Sequence, residues 1–195
     1  MSAQPPLRWR GSQPWRCPMR IEQIMRHDPT RVGPDEPVSK VVAWYANPGN
    51  RSRYTYVVDK KGVLKGVVTM MELLGLFLPP ALVDAHERGE TAEPEVIHKV
   101  LESLKTNKNR PVREIMRTDL PTVHASSFFL DARLLLRERK ITALPVVDGQ
   151  GVLVGEVTRR VLLRLLDNIL HEPDLFQLKK DNKHIFETTS EFFIG

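Results

Sequence analysis

The sequence predicts a mixed α/β (α+β) fold made of two copies of one structural unit. Residues 56–69 and 145–158 each have the pattern of a β-hairpin, in which two runs rich in β-branched residues flank a turn of Asp and Gly. Asp59 and Asp148 stand 89 residues apart. The same offset aligns three further pairs: Gly62 with Gly151, Gly66 with Gly155, and Thr69 with Thr158. We therefore interpret the chain as an internal duplication.

The elements around the hairpin follow the same order in both copies. A short helical turn (21–26 and 112–117) precedes an extended piece set by proline (29–32 and 120–123). The next segment of the first copy has the apolar spacing of an amphipathic helix, at Val38, Val41, Val42 and Tyr45. Since an apolar helical run also follows each hairpin, each copy is predicted to be β-α-β-β-α.

The predicted domain organisation follows from the size of one copy. A unit of roughly 55 residues buries too little apolar surface to be comfortably stable alone. We therefore expect two repeats, at 19–79 and 110–171, that pack sheet to sheet about a pseudo-twofold axis. The leucines after Thr158 cover more than one face of a helix, which indicates contact with a second subunit as well as with the core.

Three further segments complete the predicted organisation. Residues 1–18 form a basic arm that contains two tryptophans, and residues 172–195 form a tail that contains several phenylalanines. Residues 80–109 are predicted to link the repeats, with an exposed polar connection at 84–94 and an amphipathic helix at 95–105.

Composition and charge exclude several classes of protein. Net charge is +5, but the basic residues are spread along the chain, so nucleic acid is not an expected partner. Cys17 is the sole cysteine, which excludes a disulfide or a cysteine zinc site within one chain. No apolar run approaches the roughly 18 residues of a membrane span, and residues 1–20 lack the apolar core of a secretory signal. We therefore expect a cytoplasmic protein without membrane insertion that, lacking catalytic and metal-binding motifs, is not an enzyme.

Several stretches together resemble a cystathionine β-synthase (CBS) domain. The stretches are 25–32, 56–59 and 66–69 in the first copy and 116–123, 145–148 and 155–160 in the second. The tandem is similar to a CBS pair, or Bateman module. The resemblance implies a regulatory module that senses an adenosyl ligand (AMP, ADP, ATP or S-adenosylmethionine) in clefts between the repeats and acts on a protein partner. It also implies a homodimer with no required cofactor.

The family's ligand motif places a Gly in the strand, a Thr at the helix start and an acid three residues after the Thr. A strand Gly lets a ligand approach the backbone closely. In the first copy these positions hold Gly66, Thr69 and Glu72, and the resemblance assigns Glu72 to the ribose hydroxyls. The same spacing is that of a helix capping box, and one carboxylate orientation cannot serve both roles. In the second copy Thr158 is present, but Val161 occupies the position of the acid.

The predicted binding residues fall into two clefts. One cleft combines Thr158 and Arg159 with Arg53, because guanidinium groups suit phosphate oxygens. The other combines Thr69 and Glu72 with Thr142, and is expected to hold a ribose while being poor in cations. The walls for a base are predicted from residues of the strands: Val32 and Tyr54 on one side, Val123 and Leu144 on the other.

Each of these assignments has a simpler alternative. The arginines also suit a solvated helix start, and apolar strand residues also suit the core alone. On these alternatives, the chain is a ligand-independent dimeric adaptor whose nucleotide sites have degenerated.

Overall fold

The computed structural model describes residues 20–50, 52–90 and 92–171. Within these residues, the first repeat contains α1 (Ile21–Ile24), β1 (Arg31–Val32), α2 (Val38–Ala46), β2 (Tyr54–Val58), β3 (Leu64–Thr69) and α3 (Met70–Phe77). It is followed by α4 (Pro80–Glu87) and α5 (Glu93–Asn107). The second repeat contains a 3-10 helix (Val112–Glu114), β4 (Val123–His124), α6 (Phe129–Glu138), β5 (Ala143–Val147), β6 (Leu153–Thr158) and α7 (Arg159–His171). The predicted β-α-β-β-α order is confirmed in both repeats.

Each repeat forms a three-stranded sheet whose middle strand is the first strand of the hairpin. β1 pairs parallel with β2, β2 pairs antiparallel with β3, and β4, β5 and β6 repeat this pattern. Thr69 lies opposite Tyr54, and Thr158 lies opposite Ala143. Each hairpin therefore ends with a Thr that stands beside the start of its middle strand and immediately precedes a helix.

The two sheets meet through their hairpins in a reciprocal arrangement. The Leu64 N–H donates to Gly151 O (3.1 Å), and the Leu153 N–H donates to Gly62 O (3.0 Å). Gly62 and Gly151 have φ values of 81° and 77°, a conformation that glycine adopts without steric cost. A small apolar cluster joins the two sheets, formed by Tyr56, Val67 and Leu153. The predicted sheet-to-sheet packing about a pseudo-twofold axis is thus confirmed.

The first segment of each repeat packs on the opposite repeat. We call residues 21–26 and 112–117 the leading segments. Arg26 exchanges backbone hydrogen bonds with Glu156 (2.9 and 2.8 Å), and Arg117 exchanges them with Val67 (both 2.9 Å). The apolar residues that cross over are Ile21, Ile24 and Met25 into the second core, and Val112, Ile115 and Met116 into the first. Each leading segment, assigned by sequence to its own repeat, therefore completes the core of the other one.

This exchange explains the strand glycines at positions 66 and 155. A Cβ atom on Gly66 would lie 2.5 Å from the carbonyl oxygen of Arg117. A Cβ atom on Gly155 would lie 2.5 Å from the Met25 sulfur and 2.7 Å from the carbonyl oxygen of Arg26. Our sequence interpretation, in which these glycines make room for a ligand, is wrong because the leading segments occupy that space.

The connection between the repeats is more helical than predicted. Residues 84–87 belong to α4, and the described residues of the polar segment 84–94 are exposed as predicted, apart from the half-buried Ala85. The helix predicted at 95–105 spans Glu93–Asn107, and both helices carry a proline in the first turn, where its missing N–H costs no hydrogen bond. α5 contacts α3, where the Ser103 hydroxyl donates to Leu76 O (3.0 Å).

The predicted arm and tail lie outside the described residues, which exclude 1–19 and 172–195. Among the described helices, none combines the length and the apolar character needed to cross a membrane.

Candidate functional site

The first helix start after a hairpin, at Thr69, forms a capping box. The Thr69 hydroxyl oxygen accepts from the Met71 N–H (3.1 Å), and Glu72 Oε2 accepts from the Thr69 N–H (2.8 Å) and from the Thr69 hydroxyl. Because Oε2 already accepts these two hydrogen bonds, the capping role that we weighed against ribose binding is present. Only Oε1 of Glu72 faces away from the cap.

An arginine of the opposite repeat lies beside this carboxylate. Arg117 Nη1 is 3.9 Å from Glu72 Oε1, and Arg117 also donates to Asp119 (3.2 Å). The hydrogen bond to Asp119, and to a smaller extent the charge of Glu72, raise the pKa of Arg117. Our expectation that this cleft is poor in cations is wrong, because the exchanged leading segment delivers Arg117 to it.

A second contact across the repeats joins Tyr54 to Thr142. The Thr142 N–H and the Thr142 hydroxyl both donate to the Tyr54 hydroxyl oxygen, each at 3.4 Å. The Tyr54 ring stacks on Tyr56 with 6.3 Å between ring centroids. Since Tyr54 pairs in register with Thr69, these groups lie near the Glu72–Arg117 pair. We call Tyr54, Thr69, Glu72, Arg117 and Thr142 the seam site.

The other predicted cleft is assembled less completely. The Thr158 hydroxyl oxygen accepts from the Val161 N–H (3.2 Å), while Val161 itself is buried in the second core. Arg159 is exposed, and its N–H donates to Thr142 O (3.2 Å). Arg53 is also exposed, and across the described part of the chain no hydrogen bond or ion pair joins its guanidinium to Thr158 or Arg159. Their joint binding of a phosphate stays a prediction.

The apolar residues predicted as walls for a base are core residues. Val32 is buried with the residues of the first core, and Val123 and Leu144 are buried with those of the second. Burial of this kind is explained by packing alone. Contact between these side chains and a base therefore also stays a prediction.

The sequence analysis did not predict a buried polar network that joins the two repeats. Glu156 is 3% exposed; its Oε2 accepts from the Tyr56 hydroxyl (2.8 Å), and its Oε1 lies 3.8 Å from Arg26 Nη1. Burial raises the pKa of Glu156, while the hydrogen bond from Tyr56 and the charge of Arg26 oppose that rise. The signal was present as a mismatch between the aligned copies, since Glu156 stands where the first copy has Val67.

Comparison with known proteins identifies the family of this arrangement. The CBS domain model matches residues 21–78 and 112–168. A CBS domain-containing protein of Dictyostelium discoideum is 35% identical over 114 residues, which are 58% of this chain and 69% of that protein. An uncharacterized protein of Thermofilum pendens, from a ribosomal RNA operon, is 32% identical over 157 residues. That match covers 77% of this chain but only 47% of the relative's length.

Solved structures share the fold. The cytosolic domain of the Mg²⁺ channel MgtE in complex with ATP has a TM-score of 0.53 at 26% identity, over 74% of this chain and 48% of that chain. CBSX2 in complex with AMP has a TM-score of 0.58 at 23% identity, over 78% of this chain and 98% of that chain. Together with the two matched stretches, the duplicated sheets and the ordered motifs have one explanation: this chain belongs to the CBS domain family and carries two CBS domains in tandem.

Proposed function

We propose that this chain is a non-catalytic regulatory module that binds an adenine nucleotide at the seam site and acts on a partner protein. The observation that carries the proposal is the meeting of groups from both repeats, Arg117 with Glu72 and Tyr54 with Thr142. A ligand that contacts both repeats binds one relative arrangement of them more tightly than another. Such a difference in affinity is what a regulatory ligand needs in order to shift a conformational equilibrium.

The groups of the seam site suit the parts of a nucleotide. The Arg117 guanidinium presents a planar set of donors for phosphate oxygens. Contrary to our sequence-based expectation that one orientation serves a single role, Glu72 Oε1 can accept from a ribose hydroxyl while Oε2 keeps the helix cap, because the two roles use different oxygens of the carboxylate. The half-buried Tyr54 ring offers an aromatic surface beside both groups. Two solved structures of similar fold, the cytosolic domain of MgtE with ATP and CBSX2 with AMP, support this choice of ligand class.

The second cleft is proposed to be the weaker of the two. Thr158 and Arg159 remain candidates for phosphate contact, but Val161 lies in the core where the first repeat has Glu72. A ligand there would lack the carboxylate that accepts from ribose hydroxyls. We therefore expect one nucleotide per chain, held at the seam site.

A ligand-independent dimeric adaptor is the second candidate function. The observation that favours it is the engagement of both Glu72 oxygens within the protein, one by the Thr69 cap and the other by Arg117. If these contacts satisfy the carboxylate fully, the seam site needs no ligand. The module would then act by holding a partner in one geometry.

Thermal denaturation with AMP, ADP, ATP and S-adenosylmethionine separates these candidates. A ligand that binds only the native state stabilises it by about 2.7 kcal/mol at 100 times its dissociation constant. We expect Arg117→Gln to reduce the stabilisation by a nucleotide, whereas Arg113→Gln, an equal change of charge at an exposed side chain of the 3-10 helix, leaves it unchanged. A melting temperature that moves with none of the four ligands would instead support the adaptor.

The proposal includes two further properties. We propose a homodimer, for which light scattering should give twice the chain mass of 22.3 kDa. We also propose a cytoplasmic location, which imaging of a tagged full chain can test.

A further inference from the structure

Asp119 occupies one edge of the arginine that the seam site offers to a phosphate. Arg117 Nε donates to Asp119 Oδ1 (3.2 Å), and Arg117 Nη2 donates to Asp119 Oδ2 (3.4 Å). This is the geometry of two parallel hydrogen bonds in which a guanidinium also binds a phosphate group. The other end of the guanidinium, at Nη1, lies 3.9 Å from Glu72 Oε1. A phosphate that approaches the Nε edge therefore has to displace the Asp119 carboxylate.

The Asp119 side chain is charged and is held beside the seam site. The hydrogen bond from Arg117, and then the charge of Arg117, lower the pKa of Asp119, so the side chain is a carboxylate at neutral pH. The backbone on either side of it is packed, because Arg117 exchanges hydrogen bonds with Val67 and Leu120 contacts the apolar cluster that joins the two sheets. The chain therefore keeps this carboxylate within reach of the Arg117 guanidinium.

The first leading segment provides an internal comparison. At the offset of 91 residues, Arg26 corresponds to Arg117 and Asp28 corresponds to Asp119. Arg26 Nη1 lies 3.8 Å from the buried Glu156, and its Nη2 donates to the backbone carbonyl of Asp28 (3.0 Å). The strand position that corresponds to Glu156 in the first copy is not acidic. Arg117 is therefore paired with an exposed aspartate, whereas Arg26 faces a buried glutamate.

Exposure makes the pair of Arg117 and Asp119 weak enough for a ligand to replace. The Arg117 side chain is 48% exposed and that of Asp119 is 76% exposed. Ion pairs between exposed side chains contribute little to stability, because water solvates both charges well when they are apart. An anionic ligand can therefore exchange for Asp119, but the contact that it breaks reduces its affinity. An uncharged ligand leaves this contact in place.

We propose that Asp119 sets the specificity of the seam site by competing with phosphate for Arg117, and so disfavours adenosyl ligands the more negative charge they carry. Asp119 acts through Arg117 and is a positioning residue. The ligand class that it favours is an adenosyl compound with few phosphates. This inference rests on the proposed function, because it concerns the same site.

Calorimetric titration of the full chain with adenosine and with AMP tests the proposal. Asp119→Asn should raise the affinity for AMP about threefold, within the range that an exposed ion pair supplies, and should leave the affinity for adenosine unchanged. The matched control is Asp28→Asn, an equal change of charge at the corresponding position of the first leading segment. It keeps the backbone carbonyl to which Arg26 donates, and should change neither affinity.

A double-mutant cycle tests whether Asp119 acts through Arg117. In the Arg117→Gln background, adding Asp119→Asn should no longer raise the affinity for AMP relative to adenosine. A gain that persists there would show that Asp119 acts independently of Arg117, and the proposal would be wrong.

Two further outcomes separate this inference from the function on which it rests. If Asp119→Asn lowers the affinity for AMP, or leaves the ratio of the two affinities unchanged, the inference is overturned while nucleotide binding stands. If the unmodified chain binds neither adenosine nor AMP, the wild-type titration alone contradicts binding at the seam site, and the inference is overturned with it.

Discussion

The buried hydrogen bond from Tyr56 to Glu156 allows a quantitative test of the polar contact between the two repeats. Tyr56→Phe removes one hydroxyl from a side chain that is 0% exposed, and leaves the Glu156 Oε2 without its donor. A hydrogen bond to a charged group contributes roughly 1.5–3 kcal/mol, and water does not replace it at a buried site. We expect the free energy of unfolding to fall by about 2 kcal/mol at pH 7, which lowers the melting temperature by roughly 4–8 °C.

The size of this loss should depend on pH. Burial raises the pKa of Glu156, so the folded chain binds a proton at higher pH than the unfolded chain does. The stabilisation that Glu156 contributes is therefore fully present below the pKa that it has in the unfolded chain. It is lost as the pH rises through the raised pKa that it has in the folded chain. The hydrogen bond from Tyr56 lowers that pKa, so removing it raises the pKa further and penalises the ionised form most. Near pH 4 the carboxyl is protonated, and the loss should shrink to about 1 kcal/mol.

Urea denaturation at pH 7 and pH 4 measures the two losses, and Tyr45→Phe is the matched control. The Tyr45 hydroxyl donates to Val68 O (3.0 Å) and accepts from the Thr55 hydroxyl (3.2 Å), and both partners are uncharged. Its loss should therefore be the same at both pH values. An equal loss for Tyr56→Phe at pH 7 and pH 4 would show that no ionised Glu156 accepts this hydrogen bond, and our account of the network would be wrong.

Three further predictions concern the leading segments, the seam site and the second cleft. Gly155→Ala should lower the free energy of unfolding, measured by urea denaturation, by about 2 kcal/mol, because the added Cβ would meet the Met25 sulfur and the Arg26 carbonyl. The control Gly75→Ala, where no atom lies near the added Cβ, should raise it by roughly 0.5–1 kcal/mol. An unchanged free energy of unfolding in Gly155→Ala would contradict the close packing of the leading segment 21–26 against β6. Glu72→Gln keeps the capping box but removes the charge, so calorimetry should show weaker nucleotide binding with a stability change below about 0.5 kcal/mol; unchanged affinity would leave capping as the sole role. For the weaker second cleft, Arg53→Ala should reduce the residual binding of ATP more than that of adenosine, and an equal loss for both would exclude a phosphate contact there.

Prediction from the sequence succeeded where the signal was local. The hairpins, the helix beginning at Thr69 and the β-α-β-β-α order all follow from patterns within a dozen residues, seen twice. It failed for the strand glycines, because the atoms that exclude a side chain at Gly66 belong to Arg117 and Met116, far away in the chain. The described residues of the polar segment 84–94 are exposed as predicted, apart from the half-buried Ala85, but its first residues continue the helix that begins at Pro80.

By itself, the sequence determined that the chain is duplicated, that each copy forms one sheet with its helices, and that Glu72 and Val161 make the copies unequal. The tertiary structure alone decided that the leading segments exchange between the repeats, and so that Arg117 reaches Glu72 and Arg26 reaches Glu156. The physical reason is that periodicity and turn chemistry act between neighbours in the chain. The exchange of the leading segments depends instead on which of two nearly equivalent sheets buries a given apolar segment. That choice is decided by the packing of both repeats together.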